Sequence, residues 1–393
     1  MNRRTEDRAW SAFARIVDGS NARTIKPREL PLSSPTVIVE IVAILTVFVW
    51  TFWHLWDALE GVWQWAQTGD WVIDYSGGFM RRGFTGELLW PIIGDRSVVN
   101  MTLVVTLPIL ALVYALVFYL FLRSPRTPAW AMLVLSPGFL LFPYMNPDGA
   151  LHKEILTFAA LALLGVGFRT QRLVAFAIPA VVVYAVATLS HETAAFILPA
   201  FLFLLAREWR RRTTDRRTPL VIGAALSAFA AIGLLISVLF PGGASERHAI
   251  CAHVAQHGIH CEPITFSYLL EDVADAQRLV RGLFPGYWSS IPILAVALVP
   301  LFAVRFLPRF AAFTILFAIA VAPIFVTGQD YGRWIWIAIA SLSIVALSIS
   351  DDAKLDAFNV PLYGAAAFCL SWGIIHYSWG QLWAPGIFER LVN

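Results

Sequence analysis

The chain has 393 residues, 58% of them hydrophobic and only 14% charged, with 16 Trp, 28 Phe and a mean hydropathy of +0.68. Soluble domains carry about a quarter charged residues, so soluble α/β and all-β architectures are excluded and a membrane protein remains. The net charge of +3 is a small difference between 29 Lys and Arg and 26 Asp and Glu, so where the charges sit tells more than their sum.

Residues 1–35 carry Arg3, Arg4, Arg8, Arg15, Arg23, Lys26 and Arg28. They lack the apolar core and small-residue cleavage site of a secretory signal, which predicts a retained cytoplasmic arm. Apolar runs near the length needed to cross a bilayer, about 17–25 residues, then recur through 36–379. They lie near 36–56, 98–122, 129–144, 153–168, 173–190, 193–207, 218–240, 288–304, 310–327, 335–350 and 358–379. The expected fold is all-α, a polytopic transmembrane helical bundle of eleven spans, within a range of ten to twelve. The third and sixth runs contain Pro137, Pro143 and Pro199, so each is expected to tilt, kink or break. Outer loops are expected at 57–97 and 241–287, with a tail at 380–393.

Lys and Arg are retained on the cytoplasmic side, and the cluster Arg207, Arg210, Arg211, Arg212, Arg216 and Arg217 marks one short connection as inner. With the N-terminus inside, most carboxylates and all 8 His fall on or near the outer side. Outward-facing chemistry is expected. No glycine-rich phosphate loop and no repeat is present, which argues against ATP-driven transport by this chain and offers no nucleic-acid surface. Cys251 and Cys261 lie in the loop 241–287, on the side where oxidation is permitted, and form a disulfide candidate. His248, His253, His257 and His260 interleave with them, so a metal site competes, although the spacing matches no zinc pattern. Cys369 reads as a packing residue in the last span.

Four polar motifs fall at outer connections. The first runs from Asp70 through Asp74, Gly77, Gly78, Arg81, Arg82 and Gly83 to Glu87; the second from Asn146 through Asp148 to His152, Lys153 and Glu154. The third is Ser190, His191 and Glu192, and the fourth runs from Gly328 through Asp330 to Arg333 and Trp334. Arg81 and Arg82 oppose the charge bias, and their forked donors match phosphate oxygens, with the glycines allowing close backbone approach to an anion. The alternative is a salt-bridge cluster with Asp74 and Glu87, or loose contact with lipid headgroups. Asp74 is the preferred general base, with Asp70 and then Asp57 as rivals. His191 and Glu192 either orient substrate and bind a cation with Asp148, or cap the helices they join. Lys153 and Arg333 are expected to neutralise a diphosphate, with Asp330 orienting Arg333 or simply pairing with it.

This pattern resembles the GT-C superfamily of polytopic membrane glycosyltransferases and, more loosely, bacterial polysaccharide polymerases and ligases. The resemblance implies a polyprenyl-phosphate- or diphosphate-linked sugar donor, a glycan or glycolipid acceptor, and a site on the outer side of the bacterial inner membrane. It maps a first-loop acidic catalytic role onto Asp74, with Asp70 as rival, and a second-loop acidic or metal-binding role onto Asp148. It admits a divalent cation, and outer-loop arginines of the polymerases correspond to Arg81, Arg82 and Arg333. The chain departs from many members in having Asp74-Tyr75 in place of an adjacent acidic pair, and in lacking a large soluble C-terminal domain. A transporter or flippase is the second reading, disfavoured because the spans are nearly free of charge apart from Glu40. A membrane acyltransferase and a scaffold subunit are the others.

Overall fold

The computed structural model describes residues 33–58, 69–94, 97–212, 215–257, 277–278, 280–282, 290–328, 330–351, 355, 357–375 and 383–387. The helices are α1 (Pro35–Ala58), α2 (Phe84–Ile93), α3 (Val98–Leu122), α4 (Pro128–Val134), α5 (Phe142–Met145), α6 (Pro147–Ala150), α7 (Glu154–Thr170), α8 (Leu173–Ser190) and α9 (Thr193–Phe196). They continue with α10 (Leu198–Arg211), α11 (Arg217–Leu239), α12 (Ala244–Gln256), α13 (Ser290–Ala303), α14 (Phe306–Arg309), α15 (Ala311–Thr327), α16 (Tyr331–Ile349) and α17 (Leu362–Leu370). A 3-10 turn spans Gly69–Val72, and β1 (Trp372–Ile374) pairs antiparallel with β2 (Trp383–Pro385).

Five described helices are long and apolar enough to cross a membrane, within α1, α3, α8, α11 and α16. Their packing separates a centre from a rim. α16 has 94% of its apolar window buried, against 22% for α1 and for α11. The centre is made by α16 and α7, which is buried from Glu154 to Phe168. Ser341 and Ser348 in α16 donate to the carbonyls of Ile337 and Ile344, one turn back, so their hydroxyls are satisfied within the helix. At the rim, large apolar side chains face outward: Trp53, Ile178, Val238 and Ile319 are all more than half exposed. In water such a belt is an aggregation surface, and in lipid it is the solvent-matched one.

Two of the expected spans break, as their prolines lead one to expect, and a third is shorter than expected. The run 129–144 divides into α4 and α5 around Leu135–Leu141, where Pro137 removes a backbone donor. The break is held by Tyr114 Oη donating to Leu140 O (2.6 Å) and Trp336 Nε1 to Phe139 O (3.0 Å). The run 193–207 divides into α9 and α10, with Ile197 between them and Pro199 in the first turn of α10. The run 358–379 yields only the nine residues of α17 before the chain turns into β1. Nine residues rise about 14 Å, too short to cross. α16 starts at Tyr331 rather than near 335, which moves Arg333 from a loop into a helix. The arm 1–32, Cys261, and most of the tail 380–393 lie outside the described residues, as do the side chains of Asp57 and Asp148.

Candidate functional site

The segment 69–83 enters the end of the bundle where α7 begins and α8 ends. Its first turn is buried, and Trp71 Nε1 donates to Leu151 O at 2.5 Å, which fixes Asp70 beside the start of α7. The chain then curls on itself through a Gly78 N to Tyr75 O bond of 2.9 Å. Two glycines permit this path, and both approach protein rather than an open anion site. A Cβ on Gly77 would lie 2.5 Å from Glu246 Cα, and one on Gly83 would lie 3.0 Å from Asp74 O. Arg82 stands in the left-handed region at φ 67°, a cost for a branched-off side chain that packing must hold in place.

What holds it is a buried ionic cluster drawn from three other segments. The Arg82 guanidinium grips Glu192 through Nη2 and, at 3.1 Å, through Nε. Arg81 Nη1 lies 3.7 Å from the same carboxylate, and Arg81 Nε donates to Pro241 O at 3.1 Å. Lys153 Nζ donates to Arg82 O at 2.9 Å and Ser190 O at 3.3 Å, and lies 3.4 Å from Asp70 Oδ1. His152 Nδ1 is 3.6 Å from Asp70 Oδ2. Arg333 Nη2 is 3.5 Å from Glu154 Oε1, and Arg333 Nη1 is 3.2 Å from Asp330. His191 bridges the halves, with Nε2 3.8 Å from Glu154 and Nδ1 3.9 Å from Glu192. The Thr193 N–H donates to His191 Nδ1 at 3.2 Å, so in the neutral ring the proton sits on Nε2, facing Glu154.

Each charge in this cluster keeps its form because of its neighbours. Burial alone would push the Asp70 carboxyl up, yet Lys153 and His152 hold it well below the usual carboxylate range. Burial likewise opposes ionisation of Glu192, and Arg82 overcomes it, holding that carboxyl well below its ordinary value. His191 goes the other way. Burial, helped by the Arg82 charge, pushes it down to about 4 against the pull of Glu192 and Glu154, so at neutral pH it is an uncharged donor.

Asp74 belongs to a second arrangement. Its Oδ1 accepts from Ser76 N at 3.0 Å and Ser76 Oγ at 2.6 Å, and its Oδ2 meets His253 Nδ1 at 2.5 Å. An ionised carboxylate only accepts, so Nδ1 of His253 carries a proton, and in the neutral ring Nε2 keeps a lone pair. The Asp74 side chain is 3% exposed whereas His253 is 29% exposed, so the imidazole is the member that reaches outward. Trp90 packs at a tilt against both His253 and His257, with ring centroids 4.4 and 4.7 Å apart, and donates its own Nε1–H to Val72 O.

The sequence-expected residues therefore fall into two groups. Arg81, Arg82, Lys153, His191, Glu192, Arg333 and Asp70 share the ionic cluster, while Asp74 stands beside them on His253. The partner of Arg81 and Arg82 is Glu192; Asp74 is turned to His253, and Glu87 is exposed. Sequence reasoning gave no role to two cluster members, His152 and Glu154, although both flank Lys153 in the polar motif that opens an apolar helix; it noted His253 only among the histidines of a competing metal site, and not as the partner of Asp74. Cys251 is disulfide-bonded and Cys369 is free and buried. Among the described residues no group of three His, Cys, Asp or Glu is placed to hold a metal ion. Glu192 carries two guanidiniums and does not fit a cation ligand, so no step is routed through a metal.

A family model described as "Uncharacterised membrane protein Rv1490" matches residues 40–276, more than half of the chain. The match spans the segments that carry Asp70, Asp74, Arg81, Arg82, Lys153, Glu192 and His253, and stops short of Arg333. No curated protein and no solved structure matches.

Proposed function

We propose that this chain, which belongs to the Rv1490 family of uncharacterised membrane proteins, is a membrane glycosyltransferase. It takes a sugar from a polyprenyl-phosphate- or diphosphate-linked donor and passes it to an envelope glycan or glycolipid on the outer side of the cytoplasmic membrane. The supporting observation is the pairing of His253 in α12 with Asp74, a residue of the same loop as Arg81 and Arg82, at one end of an apolar bundle. Asp74 orients His253 and stabilises the imidazolium that forms when Nε2 removes the acceptor hydroxyl proton. The acceptor oxygen then attacks the anomeric carbon as the bond to the lipid phosphate breaks, and the phosphate leaves with the bonding electrons. Arg81 and Arg82 stabilise that anion by exchanging part of their hold on Glu192 for phosphate oxygens.

This reading moves the base from Asp74 itself to the imidazole it holds. Asp70, held between Lys153 and His152, is a positioning residue for the cluster. The test is glycan analysis of cells that depend on Asp74→Asn, His253→Gln or Arg81→Ala chains, with insertion confirmed. Loss of the product glycan and accumulation of lipid-linked donor is expected for all three. One observation favours a transporter instead: the cluster sits where the helix breaks between α8 and α10, as polar sites do in discontinuous transporter helices. In that case the same variants stop movement of a solute or lipid-linked glycan across the membrane, while sugar transfer by purified protein is absent from wild type too.

A further inference from the structure

A second polar feature lies at the opposite end of α7 and α8. A cavity of about 790 Å³ is lined by Arg123 after α3, Arg169 near the end of α7, Arg172 and Phe176 at the start of α8, and Asp351 after α16. α7 opens with Glu154 in the ionic cluster and runs 17 residues, about 25 Å, so the two features are a bundle-length apart. Gln171, in the left-handed region at φ 58°, tightens the turn between the helices and sets Arg169 and Arg172 around one opening.

The charge balance here is uneven. Arg169 is nearly buried and pairs with Asp351 at 2.6 Å. Arg123 lies over the Tyr119 ring at 5.5 Å, and among the described residues no carboxylate reaches Arg123 or Arg172, both exposed. The neighbouring basic connection is built otherwise, with Arg211 and Arg212 on Glu208 and Arg212 also on Asp215. Retention of positive charge on one side of a membrane accounts for arginines in loops. It does not account for a cavity that gathers three of them around one carboxylate, with Leu116, Val166 and Phe176 as an apolar wall.

We propose that this cavity binds a phosphate group, with Arg123 and Arg172 as its donors and Arg169 behind them. Forked guanidinium donors match phosphate oxygens in pairs, and basic pockets between transmembrane helices take anionic headgroups. A phospholipid headgroup and free phosphate present the same chemistry, and the apolar wall favours the lipid. The site is separate from the transferase reading, and neither depends on the other.

The test measures binding to the purified full-length protein of dihexanoyl phosphatidylglycerol, dihexanoyl phosphatidylcholine and inorganic phosphate. The proteins are wild type, Arg172→Gln, Arg123→Gln/Arg172→Gln, and Arg216→Gln as a control on the same basic end. Phosphatidylglycerol is expected to bind wild type more tightly than phosphatidylcholine, weakening about fivefold for each arginine removed and roughly 25-fold in the double variant, with the control unchanged. Tighter binding of the lipid than of inorganic phosphate assigns the lipid source; equal binding, lost in the double variant, assigns free phosphate. Arg172 is exposed, so its single variant retains the fold and gives a reading if the double variant does not. Equal phosphatidylglycerol binding by wild type and Arg172→Gln, or no binding of either phosphate probe to wild type, overturns the proposal.

Discussion

α7 and α8 carry charge at both ends, and the two ends are built on opposite plans. Where α7 starts, Arg81, Arg82, Lys153 and Arg333 each lie within 4 Å of a carboxylate, and the members are buried apart from Arg82, Glu192 and Asp330, which are partly so. Where α7 finishes, three guanidiniums line an open cavity and only Arg169 pairs with its one carboxylate, Asp351. Removing charges from water is costly enough that a buried set must compensate itself, whereas an accessible set can leave its donors to a ligand. The first end is therefore expected to govern stability and the position of the first loop, taking up a phosphate only at the expense of the Glu192 pairs, and the second to present its donors to a ligand without giving up a buried pair.

The largest effect tests the compensated end. Glu192→Ala leaves Arg81 and Arg82 buried without their shared counter-charge, and a loss of about 3–5 kcal/mol is expected, measured by chemical unfolding in detergent. A loss below about 1 kcal/mol would place this pair with ordinary surface bridges and erase the contrast. A smaller, more specific effect concerns Asp70 and Lys153. Each single change, Asp70→Asn or Lys153→Met, is expected to cost more than its share of the double change, with a coupling of about 1–3 kcal/mol from a double-mutant cycle.

The pH dependence sharpens the same end. His191 is pushed from 6.5 down to about 4 in the folded protein, so between those values only the unfolded chain takes up the proton. Stability is full above pH 6.5, falls as pH drops towards 4 and then levels, a loss of up to about 3 kcal/mol from this group. Asp70 and Glu192, held low when folded, add a further loss that begins as pH falls through their ordinary carboxyl values, where the unfolded chain takes up protons that the folded carboxylates still refuse. His191→Gln is expected to flatten the 6.5-to-4 segment of a stability-versus-pH curve and leave the more acidic fall. The smallest effect belongs to the open end: Arg172→Gln is expected to change unfolding stability by less than about 0.5 kcal/mol, because its side chain compensates no buried charge.

The sequence made the helices with clean apolar limits readable. The run at 98–122 matches α3 (Val98–Leu122), and the runs at 173–190 and 218–240 lie within a residue of α8 and α11. The breaks in the runs that contain Pro137 and Pro199 were legible from the prolines, which remove a backbone donor, whereas the early end of the run 358–379 was not, because hydropathy sums composition and does not register where a helix stops. The polar appearance of Tyr331-Gly332-Arg333 suggested a loop, although burial among ion pairs lets Arg333 ride in the first turn of α16. Site membership was legible as far as polar motifs at helix ends mark it, which brought in Arg81, Arg82, Lys153, His191 and Glu192. Pairing was not. Glu192 is 110 residues from Arg82 and His253 is 179 residues from Asp74, and nothing local in either segment encodes a partner at that distance.

The central claim is that His253, held by Asp74, removes the acceptor proton in sugar transfer from a lipid-linked donor. The most direct measurement follows transfer by purified wild type, His253→Gln and Asp74→Asn, using polyprenyl-phosphate and polyprenyl-diphosphate sugars as donors. Wild type is expected to transfer sugar, and His253→Gln to lose nearly all activity. Asp74→Asn is expected to lose activity through mis-orientation of the imidazole. Undiminished transfer by both variants, in protein that unfolds like wild type, would contradict the account.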